Sequence, residues 1–124
     1  VLVVEVPDAA WMSANHRVHW AQRKRRTQWL RKLAWALANN QHVPTELATP
    51  VTVVAYVSMP SRRAFDPNNA NPTTKAMIDG LTDHGCWPDD KAEHVLGPDH
   101  RLGPVTPGCR VITLHLIPAE EVAA

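Results

Sequence analysis

Cysteine is scarce in this chain: Cys86 and Cys109 are the only two among 124 residues, and they stand 23 positions apart. Two thiols at that spacing match no zinc or redox pattern and make no disulfide framework. The reading is of two reduced, partly buried thiols in a cytoplasmic protein. Long hydrophobic runs are missing as well. No apolar stretch approaches the roughly 20 residues that span a bilayer, and no basic-then-apolar leader is visible. Internal repeats are absent. Eleven prolines and five glycines mark loops without the bias of collagen or of a disordered chain. These absences exclude a membrane protein, a secreted mini-protein and a fibrous chain. The 124 residues, 44% of them hydrophobic, fit one domain.

A formal net charge of +1 conceals a separation of charge. Between His16 and Lys32 stand Arg17, Arg23, Lys24, Arg25, Arg26, Arg31 and Lys32, seven cations without an acid. From Asp66 to Asp99 the balance reverses: Asp66, Asp79, Asp83, Asp89, Asp90, Glu93 and Asp99 face only Lys75 and Lys91. The positive segment suits a polyanion, and the negative one suits a cation or a solvated face.

The expected architecture is α+β, a mixed β-sheet with packed helices. Val1–Val6 is β-branched, bounded by Pro7, and reads as a strand; Asp8–Val18 is loop, carrying Ser13 and Asn15. A helix is expected over Trp20–Asn39, with Leu30, Leu33, Ala34 and Leu37 as one apolar stripe and Trp35 away from it. Asn39-Asn40 and Pro44 end it. Val51–Met59 is apolar on both faces and is expected to be central. Asn71 as N-cap and Pro72 at the first helical position predict a helix over Thr73–His84, with Met77, Ile78 and Leu81 inward and Gly85 as its stop. A short strand is expected near Glu93–Leu96, and Gly97–Gly108, with three prolines and three glycines, reads as loop. Cys109–Ile117 alternates and closes the sheet, and Pro118–Ala124 is a short, loose tail.

The chemistry concentrates after the central strand. Asp66 and Asn68 are two apart and point the same way in extended chain; both offer oxygen ligands. Lys75 and Asp79 are four apart on one helix face, and Asp89-Asp90 come from the turn that follows. Asp66 and Asp90, assisted by Asn68, meet the demand of a hard divalent cation that keeps several waters. Asp-Pro-Asn-Asn is also good turn chemistry, so the segment reads either way. His16 and His19 are three apart, and His84, His94 and His100 flank the acidic region, but no third soft ligand completes a zinc motif. The histidines therefore stand outside the candidate site.

Met59-Pro60-Ser61-Arg62-Arg63, Asp66-Pro67-Asn68-Asn69, Lys75-Ala76-Met77-Ile78-Asp79-Gly80-Leu81 and Trp87-Pro88-Asp89-Asp90 together resemble the RusA-type Holliday-junction resolvases, endodeoxyribonucleases often carried by phages and prophages. The likeness runs over residues 1–117, as one domain followed by the tail 118–124, and its specific part is Met59–Asp90. It implies a homodimeric, Mg²⁺-dependent nuclease, with Mn²⁺ as a substitute, that cuts paired strands of four-way DNA junctions in the cytoplasm of a bacterium or a phage-infected host. No membrane and no small-molecule cofactor is implied. Asp66 matches the first aspartate of the family's pattern, Asn69 its asparagine, Lys75 its lysine by the Lys-x-x-x-Asp-x-Leu context, and Asp90 its last aspartate. Asn68 stands where a second aspartate is typical, and the gap from Asn69 to Lys75 is longer.

On that resemblance Asp66, Lys75 and Asp90 are the catalytic candidates, and Asp66, Asn68 and Asp90 the metal ligands. Lys75 would offset charge on the scissile phosphate or leaving group; its alternative is a salt bridge to Asp79. Asn15, Arg17, Arg23, Lys24, Arg25, Arg26, Arg31 and Lys32 would hold DNA, mainly by phosphate contacts. Asn15 and His16 resemble the family's early loop, with local capping as the other role for Asn15. Arg101 is a further candidate to reach DNA. Two other functions are compatible with these residues: a noncatalytic structure-selective nucleic-acid-binding protein with a weakened metal site, and a nuclease specific for flaps or forks.

Overall fold

Val51–Ser58 (β2) alternates in burial as far as Val57: Val51, Val53, Ala55 and Val57 are fully buried, Thr52, Val54 and Tyr56 are half-buried, and Ser58 at the end is buried out of step. The computed structural model describes residues 1–15 and 17–119. Leu2–Val6 (β1), Val95–Leu102 (β3) and Arg110–Ile117 (β4) complete a four-stranded mixed sheet in the order β1-β4-β2-β3. β4 runs antiparallel to both β1 and β2, and β3 runs parallel to β2. That parallel pair requires a crossover, which Asn71–His84 (α2) supplies. β2 is interior, as expected, yet only one of its faces is covered. Its outer face, with Thr52, Val54 and Tyr56, is half-buried without being sealed.

Trp20–Asn40 (α1) and α2 lie together on the sealed face. The inward stripe of α1 is Leu30, Ala34 and Ala38, all fully buried, with Leu33 and Leu37 on its flank. Arg23 sits two turns before Leu30 on the same azimuth and is nevertheless exposed, so the first turns of α1 overhang the core. The helices meet at Gly80, where an added Cβ would lie 2.4 Å from the Arg31 carbonyl oxygen and 2.8 Å from the Ala34 Cβ. Glycine is required there by proximity. Gly85 ends α2 at φ 100°, the left-handed stop its position predicts. Met77, Ile78 and Leu81 are buried as expected.

Three expectations are corrected. The chain from Gly97 is not loop throughout, because β3 runs to Leu102 and begins at Val95 rather than near Glu93. Thr52 pairs with Leu96 but Val54 with Asp99, so Gly97 and Pro98 bulge opposite Val53 alone. Gly97 has φ 104° and passes so close to β2 that a Cβ would lie 2.6 Å from the Val53 carbonyl oxygen. An edge strand tolerates a proline at a bulge, where no ladder donor is missed. The second correction concerns Asn71, which is helical (φ −52°, ψ −42°) rather than a cap, because a 3-10 turn over Pro67–Ala70 runs straight into α2. The capping role passes to Asp66. The third concerns the tail: Pro118 is buried and the Ala119 amide donates to the Ala48 carbonyl at 2.9 Å, so its first two residues are fastened; 120–124 lie outside the described residues. Among the described residues no helix is long and apolar enough to cross a membrane.

Candidate functional site

Three separate stretches are joined at one end of α2 by hydrogen bonds that no local pattern announces. The Ala14 amide donates to the Asn69 carbonyl at 2.8 Å, docking the early loop on the acidic loop. The buried Thr73 hydroxyl accepts from the Met12 amide at 2.9 Å and donates to the Met12 carbonyl at 2.7 Å. Arg26 donates to the Trp11 carbonyl at 2.8 Å, holding the overhanging part of α1 against the same loop. Asn15 therefore lies beside the acidic loop. Its expected alternative as a cap goes to Ser13, whose Oγ accepts from the Asn15 amide at 3.3 Å. His16 lies outside the described residues.

Asp66 is exposed and extended, and its Oδ1 accepts from the Asn68 amide at 3.0 Å. The turn reading is thus realised with one carboxylate oxygen, and the other receives no hydrogen bond among the described residues. The Asn68 side chain is exposed on the same turn. Lys75, one turn into α2, and Asp90 line one pocket of about 250 Å³ together with Asn71, Ile78, Val95 and Gly97. A larger pocket of about 440 Å³, bounded by Glu46, Leu47 and Trp87, holds one carboxylate and no pair of titratable groups.

Asp79 lies at the foot of the same neighbourhood. Burial raises its carboxyl above the usual range, the Arg31 charge opposes that, Asp90 adds to it, and Lys75 opposes it in turn. Lys75 belongs to no ion pair within 4.0 Å among the described residues, so the Asp79 salt bridge weighed from spacing is not formed.

Two histidines outside the expected site contact residues that neighbour it. His94 Nε2 lies 3.6 Å from Glu93 Oε1 and 3.9 Å from Asp89 Oδ1, and its Nδ1 lies 3.5 Å from Thr49 Oγ1. Asp89, Glu93 and His94 are the one group of three His, Cys, Asp or Glu residues among the described residues with ligand atoms within 4.8 Å of one another. His100 stands on β3 opposite Ala55, with Nε2 2.8 Å from Thr74 Oγ1. Thr74 is buried and its hydroxyl donates to the Asn71 carbonyl at 3.2 Å. A hydroxyl proton engaged there leaves Oγ1 to accept from His100 Nε2–H, which makes Nδ1 the unprotonated nitrogen. Burial lowers the pKa of His100, while the charges of Asp99 and Asp66 oppose the shift. The only sequence signal for either residue is its position flanking the acids. His84 is structural, its Nε2 2.7 Å from the Val43 carbonyl.

The cations divide by role. Arg17, Arg23, Lys24, Arg25 and Lys32 are exposed, and Trp29 stands among them, 46% exposed. Arg26 is half-buried on Trp11, and Arg31 forks onto Asp83. Arg101 sits in β3 and pairs with Asp99 at 2.9 Å. Both cysteines are free thiols; Cys86 is buried, and burial pushes its thiol up to about 11, away from reactivity.

No protein-family model matches the chain, and no curated protein matches it.

Proposed function

We propose that this chain is a divalent-metal-dependent endodeoxyribonuclease that cuts four-way DNA junctions as a homodimer in the cytoplasm. The observation that carries the reading is the shared pocket of Lys75 and Asp90 at the start of α2, the end to which the early loop and the Asp66 turn are tied. The donor chemistry fits a hard cation. Asp66 keeps one carboxylate oxygen without a hydrogen bond among the described residues, Asp90 is exposed, and Asn68 adds an amide oxygen. When bound, such a cation supplies Lewis-acid neutralisation of a phosphodiester and a more acidic water.

Asp66, Asp90 and Asn68 would hold that cation. Lys75 lines the same pocket as Asp90, where its ammonium would neutralise a phosphate oxygen or the departing alkoxide. Arg17, Arg23, Lys24, Arg25 and Lys32 would grip flanking phosphates, giving affinity without base readout.

A noncatalytic binder has one specific observation in its favour: Asn68 contributes no charge, and half of the Asp66 carboxylate already caps a turn. Mg²⁺-dependent nicking of a synthetic four-way junction, compared with linear duplex and forked DNA, separates the readings. Junction cleavage that Asp66→Asn abolishes without loss of junction binding is expected. Full turnover by Asp66→Asn overturns the nuclease site, and binding without any cleavage by the parent chain favours the binder.

A further inference from the structure

We infer that the sheet face opposite the two helices is the surface on which two copies of this chain pair. The inference rests on the homodimeric part of the proposed function and on nothing in its chemistry.

Strand register brings Val3, Thr113, Tyr56 and Arg101 into one row across the four strands. The next row holds His115, Val54 and Asp99. Both helices lie on the other side, so among the described residues no helix and no second sheet covers these rows, whose middle residues Val54, Tyr56, Thr113 and His115 are half-buried. Val3 is 45% exposed and Leu96 is 43% exposed at opposite margins of the face. A sheet face that ends in water normally shows mostly polar side chains; this one shows valine, tyrosine and isoleucine between its threonines, His115, Asp99 and Arg101.

Charge narrows the choice of occupant. The face holds Glu5 at the β1 edge and Asp99 with Arg101 at the β3 edge, and Arg101 already pairs with Asp99 at 2.9 Å. A polyanion has no reason to choose this surface over the cations of α1. A second copy does. A two-fold axis running along the strands lays the Glu5 edge of one sheet over the Arg101 edge of the other, so Glu5 meets the Arg101–Asp99 pair at both rims while Val54, Tyr56, Thr113 and His115 of β2 and β4 meet at the centre.

The size is also right. Four strands about 4.8 Å apart, each up to eight residues long at about 3.3 Å per residue, span about 500 Å² in projection. Side-chain relief brings that toward the roughly 800 Å² per partner of a standard stable interface. Two such faces stack at the roughly 10 Å separation of a β-sandwich. Tyr56 and His115 are already ordered against each other, ring centroids 5.2 Å apart and edge-to-face, so little side-chain freedom remains to be lost on association.

Sedimentation equilibrium of the whole chain, without DNA or metal, tests the surface. A dimer is expected for the parent chain. Val54→Lys and Thr113→Lys, each burying an ammonium at the centre of the pairing, are expected to weaken it by about a hundredfold or more with an unchanged circular dichroism spectrum. Val54 and Thr113 are both half-buried in the single chain, and whichever variant keeps the parent circular dichroism spectrum carries the test. Trp35→Glu, on the far face of α1, is expected to remain dimeric. A monomeric parent chain overturns the inference, as does a folded Thr113→Lys variant that dimerises normally or a Trp35→Glu variant that alone dissociates. A monomer that still cleaves junctions sinks this inference and spares the nuclease, and a dimer without cleavage does the reverse.

Discussion

The guanidinium of Arg31 forks across both carboxylate oxygens of Asp83, with Nε 2.5 Å from Oδ2 and Nη2 2.7 Å from Oδ1. The pair ties α1 to α2 beside their contact at Gly80. It lowers the Asp83 carboxyl and raises the Arg31 guanidinium through the shared hydrogen bonds. Arg31 is therefore a structural cation among cations that face solvent. Arg31→Ala is expected to leave the salt dependence of junction binding nearly unchanged. Arg25→Ala should reduce the slope of log affinity against log salt by about one. Because both partners are close to half exposed, losing the pair should cost less than about 1 kcal/mol in urea unfolding.

Gly80 allows the helices to touch backbone to backbone. Gly80→Ala puts a methyl group against the Arg31 carbonyl and the Ala34 side chain, neither of which is a flexible chain end. The helices must separate. A loss of about 1–3 kcal/mol is expected, despite the better helix propensity of alanine. Urea denaturation at constant m-value measures it.

Thr73→Val removes a hydroxyl that satisfies both backbone groups of Met12 in a buried position. The valine fills the same space, so the penalty isolates the polar loss, about 1–3 kcal/mol. Faster amide exchange at Met12 and Ala14 should accompany it, because the early loop is held from both sides.

Two groups set opposite pH dependences. The pKa of His100 is lowered on folding, so the unfolded chain binds more protons in the window below about 6.5. Its contribution is intact above that value and is lost as pH falls toward the folded pKa; His100→Gln should flatten this part of the stability profile. Burial raises the pKa of Asp79 on folding, so its contribution is present at low pH and is lost as pH rises from about 3.9 through the folded value. Asp79→Asn should therefore stabilise the chain at neutral pH, with the gain shrinking on acidification. Thermal melts across pH test both.

Lys75→Ala removes an exposed ammonium that forms no ion pair within 4.0 Å among the described residues, so its effect on folding should fall within about 0.5 kcal/mol. Under the proposed function its cleavage rate should drop by about a hundredfold or more while junction affinity changes little. Single-turnover cleavage beside a gel-shift titration separates the two quantities. Unchanged turnover would remove lysine from the mechanism.

Local sequence carried most of the elements. The apolar repeat around Leu30 and Ala34, the β-branched run of β2 and the glycine stop at Gly85 each act within a few residues, and each is realised where the pattern places it. The segregation of cations and acids is likewise a property of the sequence itself. Asn71 escaped because the preceding 3-10 turn, rather than its own side chain, starts the helix. Gly97-Pro98 escaped because a bulge is defined only by the strand it faces.

Tertiary structure alone decided which polar groups meet. Thr73 is 61 residues from Met12, His94 is 45 from Thr49 and His100 is 26 from Thr74. Pairings across such separations follow from strand order and helix placement, which the whole core settles at once, whereas helix and strand periods repeat within a few residues and are written into them directly.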